Sequence, residues 1–178
     1  MKNLCLIVVL VISYTQMFSQ ESSKLKLSTR DSLRLTIGKL NWSVWRTDYY
    51  ICTGIAYTKS LGRTPEDFGV FVGNEHASSW NGVTGKDFSP VIDGMRFFWS
   101  TYKNAHFEIL KESDSALIIR SNRPYLAFFK QGPILGVTIE EYDRFFWKHV
   151  QVMMDKVGFT FTASIEPDWI DWHFSKRK

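Results

Sequence analysis

The sequence predicts an α+β fold in which an antiparallel sheet of two hairpins packs against a helical layer. Three observations lead there. Helical periodicity runs from Asn41 to Tyr102, apolar/polar alternation appears at 106–111 and 116–120 and strictly at 159–165, and a capped amphipathic helix separates the two alternating regions. Consecutive hairpins pair antiparallel strands, and three N-terminal helices plus the long helix between the hairpins supply the layer that covers one face.

Residues 1–19 read as an export signal: Lys2 is the positive start, residues 4–12 form an unbroken apolar run, and Ser19 offers a small-residue cleavage point. The run is shorter than the about 20 residues needed to span a bilayer, so a secreted or periplasmic chain without stable membrane insertion is expected to begin near Gln20. Residues 20–40 read as a polar, partly ordered leader, and residues 41–178 as one α+β domain.

From Asn41 the pattern is helical, with Trp45, Tyr49, Cys52 and Ala56 on one face and Gly62 placed to stop the helix. Thr64-Pro65-Glu66-Asp67 starts the second helix with an N-cap, a proline at the first helical position and an acidic first turn. That helix carries Phe68, Phe71 and Val72 and ends near Trp80-Asn81-Gly82. Ser89-Pro90 opens the third, with Val91, Met95, Phe98 and Tyr102 on one side and Asp93, Arg96 and Ser100 opposite. Residues 106–111 and 116–120 alternate around Ser113-Asp114-Ser115, which predicts a hairpin. Asn122-Arg123-Pro124-Tyr125 breaks it, and Gln131-Gly132-Pro133 with Gly136 marks a loop with room for one helical turn.

Thr138-Ile139-Glu140-Glu141 has the spacing of a capping box, for a helix that runs to Lys156 and stops at Gly158. At 100° per residue, Tyr142, Phe146, His149, Val150 and Met153 share its inward side, and Glu140, Arg144, Lys148, Gln151 and Asp155 its outward side. Residues 159–165 alternate, Pro167-Asp168 turns, and residues 169–174 form the last strand.

Loss of Lys2 with the signal leaves 21 basic and 18 acidic side chains, a net charge of 21 − 18 = +3, and the basic residues are scattered. That argues against nucleic acid as a partner. Cys5 leaves with the signal, so Cys52 has no cysteine to pair with and stability must come from packing, for which 44% apolar and 16% aromatic content is ample.

His149, set among Tyr142, Phe146 and Met153, reads either as a pocket-facing acid/base group or as a core histidine bonded to backbone. Cys52 reads as a nucleophile or, more simply, as a small buried hydrophobe. His76 and Trp80 lie near a helix end, where ligand contacts concentrate. His106, Asp171 and His173 lie on strands, but no metal-site spacing accompanies them and no metal is expected. Gly54, Gly62, Gly69 and Gly73 make no dinucleotide fingerprint and no serine sits in a nucleophile elbow, so no cofactor is expected.

The hairpin from His106 to Arg120, the Asn122-Arg123-Pro124-Tyr125 segment with Gln131-Gly132-Pro133 and the capped helix from Thr138, and the closing strand pair to Phe174 together resemble the C-terminal half of aminothiazoline-carboxylate hydrolase-like proteins and related vinyl-reductase-type ligand-binding domains. The resemblance spans 45–174 in element order, with its motifs within 106–174. It implies a sheet and a helical layer enclosing a pocket for a small organic molecule. The hydrolases are expected to offer a cysteine near the start of the long helix, where this chain has Leu135-Gly136-Val137. The expected function is therefore an exported small-molecule-binding protein without intrinsic catalysis. Its pocket is aromatic-lined and takes a small apolar or aromatic molecule, with Tyr142, Phe146, His149, Met153, Trp99, His76 and Trp80 as ligand contacts. The alternatives are a hydrolase of a small amide- or thiazoline-like substrate using His149 or Cys52, and an envelope protein that assembles through an exposed aromatic patch.

Overall fold

Two reciprocal capping boxes fix where the main helices start. In the computed structural model, which describes residues 47–80, 83, 85–102 and 104–177, Thr64 and Asp67 cap one helix and Thr138 and Glu141 the other. In each box the threonine hydroxyl accepts from the N3 backbone N–H while the N3 carboxylate accepts from the cap backbone. The export signal, the leader, Trp42, Trp45, Asn81 and Gly82 lie outside the described residues.

Residues 47–60 are helical (α1). Gly62 ends the turn at φ +72°, a left-handed conformation that costs glycine little, with its N–H bonded to Lys59 O at 2.9 Å. Helix α2 is Pro65–Ala77, continued by a 3₁₀ turn at Ser78–Trp80, and α3 is Ser89–Ser100. The hairpin follows as β1, Phe107–Glu112, and β2, Ala116–Asn122. The predicted loop holds a 3₁₀ segment, Pro124–Phe129, that buries Tyr125 and Phe129. Helix α4 is Ile139–Lys156, and β3, Phe159–Ile165, and β4, Trp169–Lys176, close the chain, the last strand running two residues past the predicted end. Among the described residues, no helix is long and apolar enough to cross a membrane.

The α+β prediction holds. The four strands are antiparallel in the order β1-β2-β4-β3, so the second hairpin joins the first through β4. Register places Leu117, Phe174 and Phe161 in one row of the covered face and Ile119, Trp172 and Ala163 in the next. The opposite face carries Arg120 and Asp171 directly across from each other, joined by two 2.7 Å bonds.

The packing of α2 departs from the wheel. Its buried residues are Pro65, Gly69, Gly73 and Ala77, a ridge of small residues four apart, while Phe71 is 49% exposed. A Cβ added at Gly69 would lie 2.6 Å from Phe145 O, and one at Gly73 would lie 2.7 Å from His149 O. The backbones of α2 and α4 are thus nearly in contact, and that approach needs hydrogen where other residues carry a methyl. On α4 the fully buried methionine is Met154, with Met153 half-buried, and Phe145 joins Tyr142 and Phe146 inside. On α3, Trp99 and Ile92 are more deeply buried than Met95 or Phe98.

Gly73→Ala is expected to destabilise the fold by about 1–3 kcal/mol, because overpacking outweighs the roughly 1 kcal/mol that alanine gains in helix propensity. Phe71→Ala should change stability by less than about 0.5 kcal/mol. Urea unfolding of both variants checks this; a neutral or stabilising Gly73→Ala would show that the seam has room.

Candidate functional site: the groove between the long helix and the edge strand

Helix α4 turns at Gly158 into β3, which runs back beside it at the edge of the sheet. The inward residues of β3 lose cover step by step: Phe159 is 0% and Phe161 6% exposed, Ala163 is half-buried, and Ile165 is 44% exposed. Strand and helix therefore part towards Ile165, and a groove opens between them. One open surface depression of about 400 Å³ lies between Trp147, Lys148 and Gln151 on α4, Glu66 on α2, and Phe161, Ala163 and Ile165 on β3. A second, of about 380 Å³, continues past Arg123, Ile139, Glu140 and Asp143. Arg144, Trp147 and Ile165 border both, so the two form one groove with Trp147 at its centre.

Trp147 stacks on Phe161 at 25° and leans on Trp172 at 5.0 Å. The other buried indoles are satisfied, Trp99 donating to Asn122 O at 3.2 Å and Trp172 to Ser121 Oγ at 2.8 Å. The Trp147 N–H has no partner. Among the described residues four buried side-chain polar atoms lack one, and three of them, Glu66 Oε2, Arg123 Nε and Trp147 Nε1, belong to residues that border the groove. An unmet buried donor or acceptor costs about 1–3 kcal/mol, so their concentration on one feature is informative.

The groove's electrostatics are balanced. Arg123 pairs with Asp143, the two side chains being 10% and 8% exposed, and Tyr125 donates to the other Asp143 oxygen at 2.8 Å. Burial pushes the Asp143 carboxyl up, and the bonds from Tyr125 and Arg123 oppose it. Glu66 faces Arg144 at 3.4 Å across the first cavity.

The residues expected to touch a ligand lie elsewhere. Trp99, Tyr142 and Phe146 are buried in an aromatic cluster around Trp172, with Trp99 and Trp172 rings 5.1 Å apart and Phe146 and Trp172 rings 5.8 Å apart. Met153 is half-buried on α4, and Trp80 lies under Gly94 of α3. His76 and His149 meet, His76 Nδ1 to His149 Nε2 being 2.9 Å. None of these seven borders either cavity. His149 stacks on Phe145, its Nδ1 is buried without a partner, and burial first and the His76 charge second push it down to about 4. At neutral pH it is an uncharged imidazole that joins α2 to α4. His106 lies 3.8 Å from Glu108, and Asp171 is engaged by Arg120; among the described residues, no group of three histidine, cysteine or acidic side chains is placed to hold a metal.

Sequence reasoning singled out none of Glu66, Arg123 and Asp143 as a site residue. A signal was present: Ile139, Asp143 and Trp147 recur every four residues beside the Glu140-Arg144-Lys148 stripe, an aromatic on the flank of a charged face.

A second polar centre lies deeper. Asp48 on α1 is 2% exposed, and its Oδ1 accepts from Tyr142 at 2.6 Å and Tyr102 at 2.9 Å. Burial pushes Asp48 up to about 6, with both tyrosine bonds opposing. Cys52, one turn along, is pushed up to about 12 by burial and then by the Asp48 charge, so it carries almost no thiolate at neutral pH.

These shifts have opposite signs in pH. Asp48 contributes stability that is full below its ordinary 3.8 and lost as pH rises through about 6. His149 contributes stability that is full above its ordinary 6.5 and lost as pH falls through about 4. Asp48→Asn, which keeps an acceptor for both tyrosines, is expected to be more stable than the parent at pH 7.5 by up to about 3 kcal/mol, with the difference vanishing below pH 4. Urea midpoints at the two pH values measure it, and a variant less stable at pH 7.5 would show that the ionised carboxylate is the form the fold requires. No family model, no curated protein and no solved structure matches the chain.

Proposed function

We propose that this is an exported small-molecule-binding protein whose site is the groove between α4 and β3. The observation that carries this reading is an open groove of two adjoining depressions whose wall is made by Trp147, Phe161, Ile139 and Ile165. A site that binds without turnover needs an apolar surface, a few fixed polar groups and a ready-made shape. Trp147, Phe161, Ile139 and Ile165 offer the first, and Arg144, Lys148 and Gln151 offer the second. Rigidity supports the third, since Trp147 packs against both Phe161 and Trp172, and Arg123 is held by Asp143.

Binding is favoured over hydrolysis by what borders the groove. Among the described residues that border it, Thr162 supplies the one hydroxyl, and none is a cysteine or histidine. Export rests on Lys2, the apolar run 4–12 and Ser19.

A chemically diverse ligand screen read by intrinsic tryptophan fluorescence is expected to find compounds that perturb Trp147. Ile165→Arg, which sets a long charged side chain at an exposed position shared by both cavities, should weaken them at least about tenfold without lowering the melting temperature. A flat response, or hits indifferent to Ile165→Arg, removes the groove as the site. Independently, the chain recovered from periplasm or medium should begin near Gln20, and a recovered chain that still carries Met1 overturns the export reading.

A further inference from the structure

Resting on the groove as a small-molecule site, we infer that its ligand class is the short free peptide, bound extended as a fifth strand on the outer edge of β3. Register decides which backbone groups of β3 point there. Glu166 N–H donates to Trp169 O at 2.8 Å and Arg177 N–H to Gly158 O at 3.2 Å, so the even-numbered residues between them bond to β4. Phe161, Ala163 and Ile165 therefore turn N–H and C=O away from β4, and among the described residues no strand lies on that side. The same three residues line the groove together with Thr162, whose side chain points to the opposite face of the sheet. A depression bordered by both faces runs along the backbone edge. Access widens from Phe161, 6% exposed, to Ile165, 44% exposed.

The two edges of the sheet are built differently. On the other edge, β1 carries Glu108, Lys111 and Glu112 and a break in register between Ile109 and Lys111, devices that keep a strand from recruiting another. The edge strand β3 has neither charge nor proline and pairs with β4 in unbroken register. An edge left pairable beside an apolar wall suits a peptide, whose main chain gives affinity and whose alternate side chains give specificity. Side chains lying opposite Ala163 and Ile165 would point to the covered face, where Trp147 and Ile139 stand, and the small Ala163 leaves room for a large one.

Charge sets direction and length. Of the ionisable residues bordering the groove, Arg123 pairs with Asp143 and Arg144 with Glu66. That leaves Lys148, whose ammonium donates to the neutral Gln151 at 3.0 Å, and the exposed Glu140. The two are separated by about 12 Å along the axis of α4, the span of three to four extended residues. A peptide with its ammonium at Glu140 and its carboxylate at Lys148 runs antiparallel to β3. A segment inside a longer chain has no terminal charges to place there, and neither has β3 of a second copy.

The test is calorimetric titration of the whole exported chain with the free tetrapeptide Val-Ser-Phe-Ser, whose Val and Phe face the wall in this direction. Methylating the Phe nitrogen, which donates to Ala163 O, is expected to weaken binding at least about tenfold; methylating the last Ser nitrogen, which faces away from β3, should change it less than about threefold. Acetylating and amidating the termini should cost about tenfold. Ala163→Pro removes an outward N–H and no bond to β4, an exchange that edge strands tolerate, so the variant should fold and lose the peptide. If it does not fold, the two methylated peptides decide. Equal affinity for those two overturns the inference, as does a folded Ala163→Pro that binds like the parent, or affinity that blocking the termini leaves unchanged. A dimer in solution that Ala163→Pro abolishes gives the edge to a second copy and overturns it as well. Failure of the peptide while the diverse screen yields ligands sensitive to Ile165→Arg overturns the inference alone; failure of both removes the groove as a site.

Discussion

The backbone contact between α2 and α4 is the constraint on which the rest of the described structure depends. Gly69 faces Phe145 and Gly73 faces His149, a four-residue step on each helix, so the two run parallel and in register. Both capped N-termini therefore lie at the same end. The polar contacts follow from this register. Glu66, three residues before Gly69, reaches Arg144, and His76, three after Gly73, reaches His149. Larger residues on the glycine ridge would move α2 away from α4 and take Glu66 from the rim of the groove.

Rotation of α4 is fixed by two consecutive residues that point to different partners. Tyr142 donates to Asp48 on α1, while Asp143 binds Arg123 and Tyr125 from the segment after β2. Each contact joins a buried carboxylate to hydroxyl or guanidinium donors, and turning the helix either way leaves one carboxylate without them. For the Arg123–Asp143 ion pair, removing one partner costs about 3–5 kcal/mol, far more than the pair contributes over an apolar replacement. The arrangement acts as a lock on orientation. One turn beyond Asp143 is Trp147, so the same lock aims the indole between Phe161 and the groove.

Much of this was legible in the chain. Thr138 with Glu141, Thr64 with Asp67, Gly62 and Gly158 carry local signals whose physics involves only neighbours in sequence, and the structure places the helix ends where they point. The alternating stretches fall in the two hairpins for the same reason. The groove was not legible, because it arises where elements diverge. A helical wheel sorts residues into inside and outside and has no place for a flank such as Asp143 or Trp147, partly covered by a strand edge. The ridge of Gly69, Gly73 and Ala77 reads as a weak face because hydrophobicity scales score side chains, and here the contact is made by backbone. Arg123 lies inside a segment that reads as a strand breaker, and its ion pair with Asp143 joins residues 20 apart in the chain.

Why the groove stays open follows from what closing it would bury. To bring Ile165 down onto Ile139 and Trp147, β3 would have to cover Arg144, Glu66 and Lys148, whose heads now reach the surface or one another. The apolar area gained is modest, since Ile165 is already more than half covered, and at about 25 cal/mol per Å² it cannot offset the desolvation of several charges. Sheet twist acts in the same direction, carrying the far end of an edge strand away from a helix packed at its start.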